Sequence, residues 1–233
     1  MSGHDRGAAG GAAGGAAGGA GEAAAARHAL VGPPDLWEMK RQFQIDFLRG
    51  AGLQPQHRLL DLGCGTLRGG IPLIAHLDPG NYAGVEVRRD VLDEGRRELA
   101  DAGLAGKSPQ LVHCERLAEL DLGRRFDVVW AFAVLIHMED GILDEAVAAV
   151  ARHLEDDGIF YATAHFGTEP DGSWQGFPLV RREAAFYTDV FGRAGLSMAD
   201  MGPLTSFGHQ HPRLTAEVQA CQRMLRATKG RAG

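Results

Sequence analysis

The sequence predicts an α/β protein: a doubly wound, mainly parallel sheet with helices on both faces. Three observations predict it. Apolar runs of strand length alternate with longer segments of helical period. One run, FDVVWAFAVLI, is apolar without alternation, as suits a strand covered on both faces. A glycine-rich turn, Gly63 to Gly70, joins the first run to a helical segment, where sheets of this kind bind their ligands.

The elements follow in order. Residues 1–30 are dominated by Gly and Ala, as in GGAAGGAAGGAGEAAAA. Glycine raises the entropy cost of ordering and alanine offers little apolar area to offset it, so this is read as a disordered tail without chemistry. Residues 31–233 are read as one domain. DLWEMKRQFQIDFLRGAG places Leu36, Met39, Phe43 and Phe47 at helical spacing, with Asp35 as N-cap and Gly50 near the stop. RLLDLG is a buried strand and TLRGGIPLIAHL a helix. NYAGVEV is a second strand and RRDVLDEGRRELADAG a charged amphipathic helix. PQLVHC is a third strand, RFDVVWAFAVLI the fourth. GILDEAVAAVARHLEDDG is a helix closed by Gly158, and IFYATAHF a fifth strand. EAAFYTDVFGRAG and LSMADMG are a further helix and strand. QRMLRATK fits an edge strand, while Leu214, Val218, Cys221 and Leu225 also fit a helix.

Composition narrows the function. The chain has 233 residues, 45% hydrophobic and 23% charged, with a formal charge of −6. That is an ordinary globular balance and a poor coat for nucleic acid. Arg223, Arg226, Lys229 and Arg231 near the C-terminus read as a solvated basic tail. Cys64, Cys114 and Cys221 are scattered and odd in number, which fits a reducing compartment. No run reaches the ~18 apolar residues of a spanning helix, and no secretory signal is visible. The expected location is the cytoplasm.

The turn itself raises a chemical question. Backbone N–H groups and a helix N-terminus suit a pyrophosphate, and the usual spacing there is G-x-G-x-x-G. Here Arg68 takes the third glycine's place, and Asp61 stands two residues before Gly63. A carboxylate at that point opposes a pyrophosphate and favours a cation. S-adenosylmethionine carries a sulfonium and an ammonium and no phosphate. Glu86, 21 residues after Gly65, is placed to accept both hydroxyls of a ribose.

LLDLGCGT, YAGVEV, FDVVWAFAVLIHM and GIFYATAHF together resemble the class I S-adenosylmethionine-dependent methyltransferase family, over roughly residues 36 to 228. The resemblance implies a Rossmann-like fold with a seven-stranded sheet, methyl transfer from S-adenosylmethionine, and a set of contacts. Asp61, Gly63, Cys64 and Gly65 would lie along the methionine portion and Glu86 along the ribose. The adenine contact falls among Cys114, Glu115 and Arg116, and Glu115 is taken as the candidate. Ala133 to His137, after the fourth strand, would line the methyl site. The chain departs from the pattern at Leu67, where many members have a glycine.

His137 is the candidate general base, since histidine titrates near neutrality. His165, Trp174 and Phe177 are candidates for the acceptor pocket, the two aromatics because GTEPDGSWQGFPLVR is a long loop at the catalytic end. Gln42 is a candidate cofactor contact. His137, His165, His209 and His211 lack the i, i+4 spacing of a helical metal pair, and no metal is expected. With no Asn-Pro-Pro-Tyr-like tetrapeptide after the fourth strand, a small-molecule acceptor is expected. The rival readings are an NAD-dependent oxidoreductase on a similar fold and a non-catalytic S-adenosylmethionine-binding module.

Overall fold

The structure is a computed structural model that describes residues 25–230. The greater part of the Gly/Ala-rich tail, up to residue 24, lies outside the described residues.

The first helix, α1 (Trp37–Gly50), is entered through a 3-10 turn at Pro34–Leu36. Pro34 starts that turn, where a missing N–H costs nothing. Asp35 is therefore inside the turn rather than an N-cap, and its carboxylate pairs with Arg213. Strand β1 (Leu59–Leu62) is buried throughout. Then come α2 (Gly70–His76), β2 (Tyr82–Glu86), α3 (Arg89–Asp101) and β3 (Gln110–His113).

The fourth apolar run is not all strand. β4 (Phe126–Ala131) stops where Ala133 takes a left-handed conformation, φ 56°, and a 3-10 turn at Leu135–His137 follows. α4 (Asp140–His153) ends five residues before Gly158. Leu154 already pairs with Phe126 and is fully buried, so the chain turns strand-like there and the exposed acids Asp156 and Asp157 fall within β5 (Leu154–His165). A hairpin, β6 (Gly172–Trp174) and β7 (Phe177–Leu179), precedes α5 (Ala184–Arg193). β8 (Leu196–Pro203), α6 (Ala216–Cys221) and β9 (Gln222–Lys229) complete the fold.

The sheet has seven strands in the order β3-β2-β1-β4-β5-β9-β8. Neighbours among β1 to β5 pair parallel, and β9 runs antiparallel to both β5 and β8. QRMLRATK is thus a strand, but an interior one. Its Met224, Leu225 and Ala227 are fully buried, and covering on both faces is what the middle of a sheet demands. The basic residues read as a solvated tail are part of this strand: Arg223 pairs with Asp200 and Lys229 with Asp156. Arg231 lies outside the described residues.

Two cores cover the two faces. On one, Leu60, Leu62, Val129 and Phe160 pack with Leu143 and Val147 of α4 and Phe191 of α5. On the other, Leu59, Trp130 and Tyr161 pack with Phe43 and Phe47 of α1 and Leu73 of α2. Winding reverses between β1 and β4, which sets the crevice at their carboxyl ends.

Replacing Leu225 with Ala should remove about 2–5 kcal/mol of stability. Lys229→Ala, at a part-exposed ion pair, should cost less than about 1 kcal/mol. Urea denaturation of both variants checks the interior position of β9.

Candidate active site

The glycine turn is hooked to β2. The Gly63 and Cys64 amides both donate to the Val85 carbonyl, at 2.8 and 3.0 Å. Gly63 has φ 72°, and a Cβ there would lie 2.4 Å from Val134 Cγ2, so only glycine fits. Leu67 adopts φ 60°, the conformation a glycine would take freely, and complete burial of its side chain holds it there. Cys64 is buried under β2, where its Sγ would be 2.9 Å from a Cβ at Gly84. It serves the turn through its backbone, and burial raises its thiol well above the usual range.

Two acids end the first two strands. Asp61 is 4% exposed and accepts from Tyr82 Oη at 2.6 Å. Burial pushes its carboxyl up to about 7; the Tyr82 hydrogen bond opposes this, Glu86 adds to it, and Arg68 opposes it. Glu86 is also buried. Its Oε2 accepts from the Gly65 amide at 2.9 Å and its Oε1 from the Arg88 amide at 3.0 Å. Glu115 follows β3 and faces solvent, with its carboxylate 3.6 Å from His113 Nε2. Glu86 and His113 are register partners, so Glu115 lies just beyond the strand next to Glu86.

The ends of β4 and β5 form the other wall. The Ala133 amide donates to Thr163 Oγ1 at 2.7 Å, tying the β4 tip to β5. His137 Nδ1 is 2.9 Å from the Pro178 carbonyl, which only accepts, so Nδ1 carries the proton and Nε2 is left with its lone pair. Its ring lies against Trp174, centroids 5.7 Å apart, and Phe177, 6.1 Å apart. Burial lowers its pKa; the Pro178 hydrogen bond opposes, and Arg88 and Lys40 add to the lowering. His165 is pushed down to about 4 by burial, helped by Arg181, His137 and Lys40. The hairpin thus brings Trp174 and Phe177 to His137. Gln42 is elsewhere: it is bonded to Asp46 on the outside of α1.

Several residues at the site escaped the sequence reading. Gln44 is buried, accepts from Trp130 Nε1 at 3.0 Å and fills the space above Gly69, where a Cβ would meet its Oε1 at 2.4 Å. Lys40, Phe43, Gln44 and Phe47 share one helical stripe, the signal that would have found it. Residues 25–31 also reach the site, although composition placed 25–30 in the tail. Residues 25–29 are helical. Arg27 bonds Glu94, Glu98 and Asp101 of α3 at 3.0–3.2 Å, and His28 stacks on Trp37. Val31 sits over the turn, with its Cγ1 3.0 Å from where a Gly65 Cβ would be. The Leu30 carbonyl accepts from Arg88 Nη2. Nothing in a Gly/Ala-rich composition signals these contacts.

Among the described residues, no three of His, Cys, Asp and Glu gather as a metal site requires. None of the described helices is long and apolar enough to cross a membrane.

Residues 60–160 match the family profile described as a methyltransferase domain. The chain carries that match from β1 into β5. It is 32% identical over 134 residues to dTDP-3-amino-3,4,6-trideoxy-alpha-D-glucopyranose N,N-dimethyltransferase of Streptomyces venezuelae, a match over 54% of this chain and 50% of that protein. The chain thus spans half the length of that relative. In structure, the chain is similar to magnesium protoporphyrin IX methyltransferase of Synechocystis PCC 6803, solved with S-adenosylmethionine bound. The TM-score is 0.61 at 18% identity, over 83% of this chain and 79% of the other. The CcbJ methyltransferase of Streptomyces caelestis gives 0.63 at 18% identity, over 82% and 96%. These likenesses carry the seven-stranded Rossmann-like methyltransferase fold.

The Asp61 carboxyl sets a pH dependence in the ligand-free protein. Its folded pKa of about 7 exceeds the ordinary 3.8, so between those values the folded chain holds a proton that the unfolded chain releases. Its contribution to stability is present below pH 4 and is lost as pH rises to 7. Asp61→Asn, which keeps the Tyr82 hydrogen bond, should therefore gain on the wild type over that window, on the order of 1 kcal/mol per pH unit. Denaturation midpoints at pH 4 to 8 check this; parallel curves would refute the raised carboxyl.

Proposed function

We propose that this chain transfers a methyl group from S-adenosylmethionine to a small-molecule acceptor with an oxygen or nitrogen nucleophile. The observation that carries the reading is the buried acid beside the glycine turn. Asp61 has no cation within ion-pair distance among the described residues, and burial keeps its charge costly. A cationic ligand relieves that cost, whereas a pyrophosphate would add to it. The donor set therefore fits S-adenosylmethionine and argues against a nicotinamide dinucleotide.

When bound, S-adenosylmethionine supplies an electrophilic methyl carbon on a sulfonium sulfur. The protein's own residues do the rest. Asp61 balances positive charge along the turn, where Gly63 and Gly65 allow close backbone approach. Glu86, already an acceptor for two amides, would hold the ribose hydroxyls on the lone pairs its carboxylate has left. Glu115 would hold the adenine. His137 Nε2 takes a proton from the acceptor, because its other nitrogen is committed to Pro178. Trp174, Phe177 and His165 wall the acceptor and exclude water. An amine acceptor has added support from the relatives, one named as an N,N-dimethyltransferase and another as a glycopeptide N-methyltransferase. The three described cysteines are free, which supports a reducing location such as the cytoplasm.

Calorimetry with S-adenosylhomocysteine should show saturable binding and NAD+ none. Binding of NAD+ alone would replace methyl transfer with hydride transfer. In the active enzyme, His137→Ala should lower kcat by about 10²–10⁴-fold while S-adenosylhomocysteine affinity holds. The wild-type acidic limb, with a pKa below 6.5, should vanish with it. An unchanged pH–rate profile would remove His137 as the base.

A further inference from the structure

Beside the glycine turn stand two cations with no carboxylate partner among the described residues. Arg68, within the glycine turn, is 9% exposed. Its Nη1 donates to the Val31 carbonyl at 2.9 Å, but its buried Nε has no acceptor. Its guanidinium carbon lies 5.9 Å from the Trp37 ring centre and 5.8 Å from that of Phe132. Lys40 of α1 reaches the same place. A Cβ at Gly32 would be 3.5 Å from Arg68 Nη1 and 3.8 Å from Lys40 Nζ. Among the described residues, neither cation has a carboxylate within ion-pair distance. His209 closes the group. It is 3% exposed, lies against Phe43 and Phe132, and neither ring nitrogen has a partner.

The electrostatics agree with the geometry. Burial and then Arg68 push Lys40 down to about 8, and burial and then Lys40 push His209 down to about 4. Lys40 also bears on His137, His165 and His211, so its field covers the β4, β5 and β8 side. The acid that acts on Arg68 is Asp61, which Tyr82 already engages. Buried cations and unpartnered donors are costly unless an anion completes them.

We propose that Lys40, Arg68 and His209 form an oxyanion subsite for a carboxylate or phosphate carried by the methyl acceptor. Arg68 and Lys40 supply charge and donors, and the neutral His209 ring donates one N–H. The proposal rests on the methyl-transfer reading above. The other source of the same chemistry is the carboxylate of the cofactor itself. Position favours the acceptor: Phe132 follows β4 and His209 follows β8, away from Glu86 at the end of β2, while Arg68, in the glycine turn, spans the two sides.

The test uses the full chain saturated with S-adenosylhomocysteine. Inorganic phosphate, and separately acetate, is titrated at constant ionic strength while the ring C–H resonances of His209 and His165 are followed by NMR. A saturable shift of both is expected. Lys40→Met should weaken phosphate binding about tenfold or more and leave the S-adenosylhomocysteine Kd nearly unchanged. Lys40→Arg, which keeps the charge, should retain both and guards against misfolding. No saturable shift would overturn the subsite. So would competition between phosphate and S-adenosylhomocysteine with a matching loss of S-adenosylhomocysteine affinity in Lys40→Met, which would assign the cations to the cofactor. If S-adenosylhomocysteine does not bind the wild type, the methyl-transfer reading fails instead, and the phosphate titration of the unloaded chain still decides the oxyanion site.

Discussion

The hydrogen bond from Tyr82 to Asp61 joins the first two strands through buried side chains. It allows a carboxylate at a place that packing would otherwise deny it. Gly70 must lack a Cβ because Tyr82 Oη occupies that space, and Gly84 must lack one because Cys64 does. The turn, the start of α2 and the middle of β2 are thus fitted around one acid and one phenol. Burial puts the charge where a ligand will feel it most, since opposite charges attract more strongly in a poorly polarisable surround.

Charge is divided across the crevice. Asp61 and Glu86 stand near the ends of β1 and β2, with Arg68 and Arg88 beside them, while Lys40 and the histidines of the β4, β5 and β8 loops stand on the other side. Two ligands of different charge can lie side by side in such a field, each against its opposite. The N-terminal stretch bridges the two halves. Arg27 holds it to α3, and the Val31 carbonyl takes a hydrogen bond from Arg68.

The parts legible in the sequence were those with a local physical signal. Asp61, Gly63 and Glu86 declare themselves because a strand must end, turn through positive φ and meet its neighbour at a fixed distance. His137, Trp174 and Phe177 were readable as residues between the strands at one end of the sheet, although the last two sit in a short hairpin and not an open loop. The illegible parts depend on long-range packing. Lys40 and Gln44 look like any helix residues until β4 is laid under them. The position of β9 depends on which edge of β5 is free, and no property of QRMLRATK reveals it. Helix boundaries failed where burial overrode propensity, as at Leu154, which pairs with Phe126 instead of extending α4.

The interior place of β9 also dictates the order in which the molecule can be assembled. In the sheet β8 has β9 as its single neighbour, so it cannot join β5 directly. A growing chain can set down β1 to β5 early, but β8 must wait, tethered, until residues 222–229 have been made. Over that interval β5 presents an open edge along residues 160–165, the stretch that β9 later covers. Such an edge is a template for the wrong partner. Synthesis speed across roughly the last thirty residues before β9 is then a determinant of yield, independent of the stability of the finished fold.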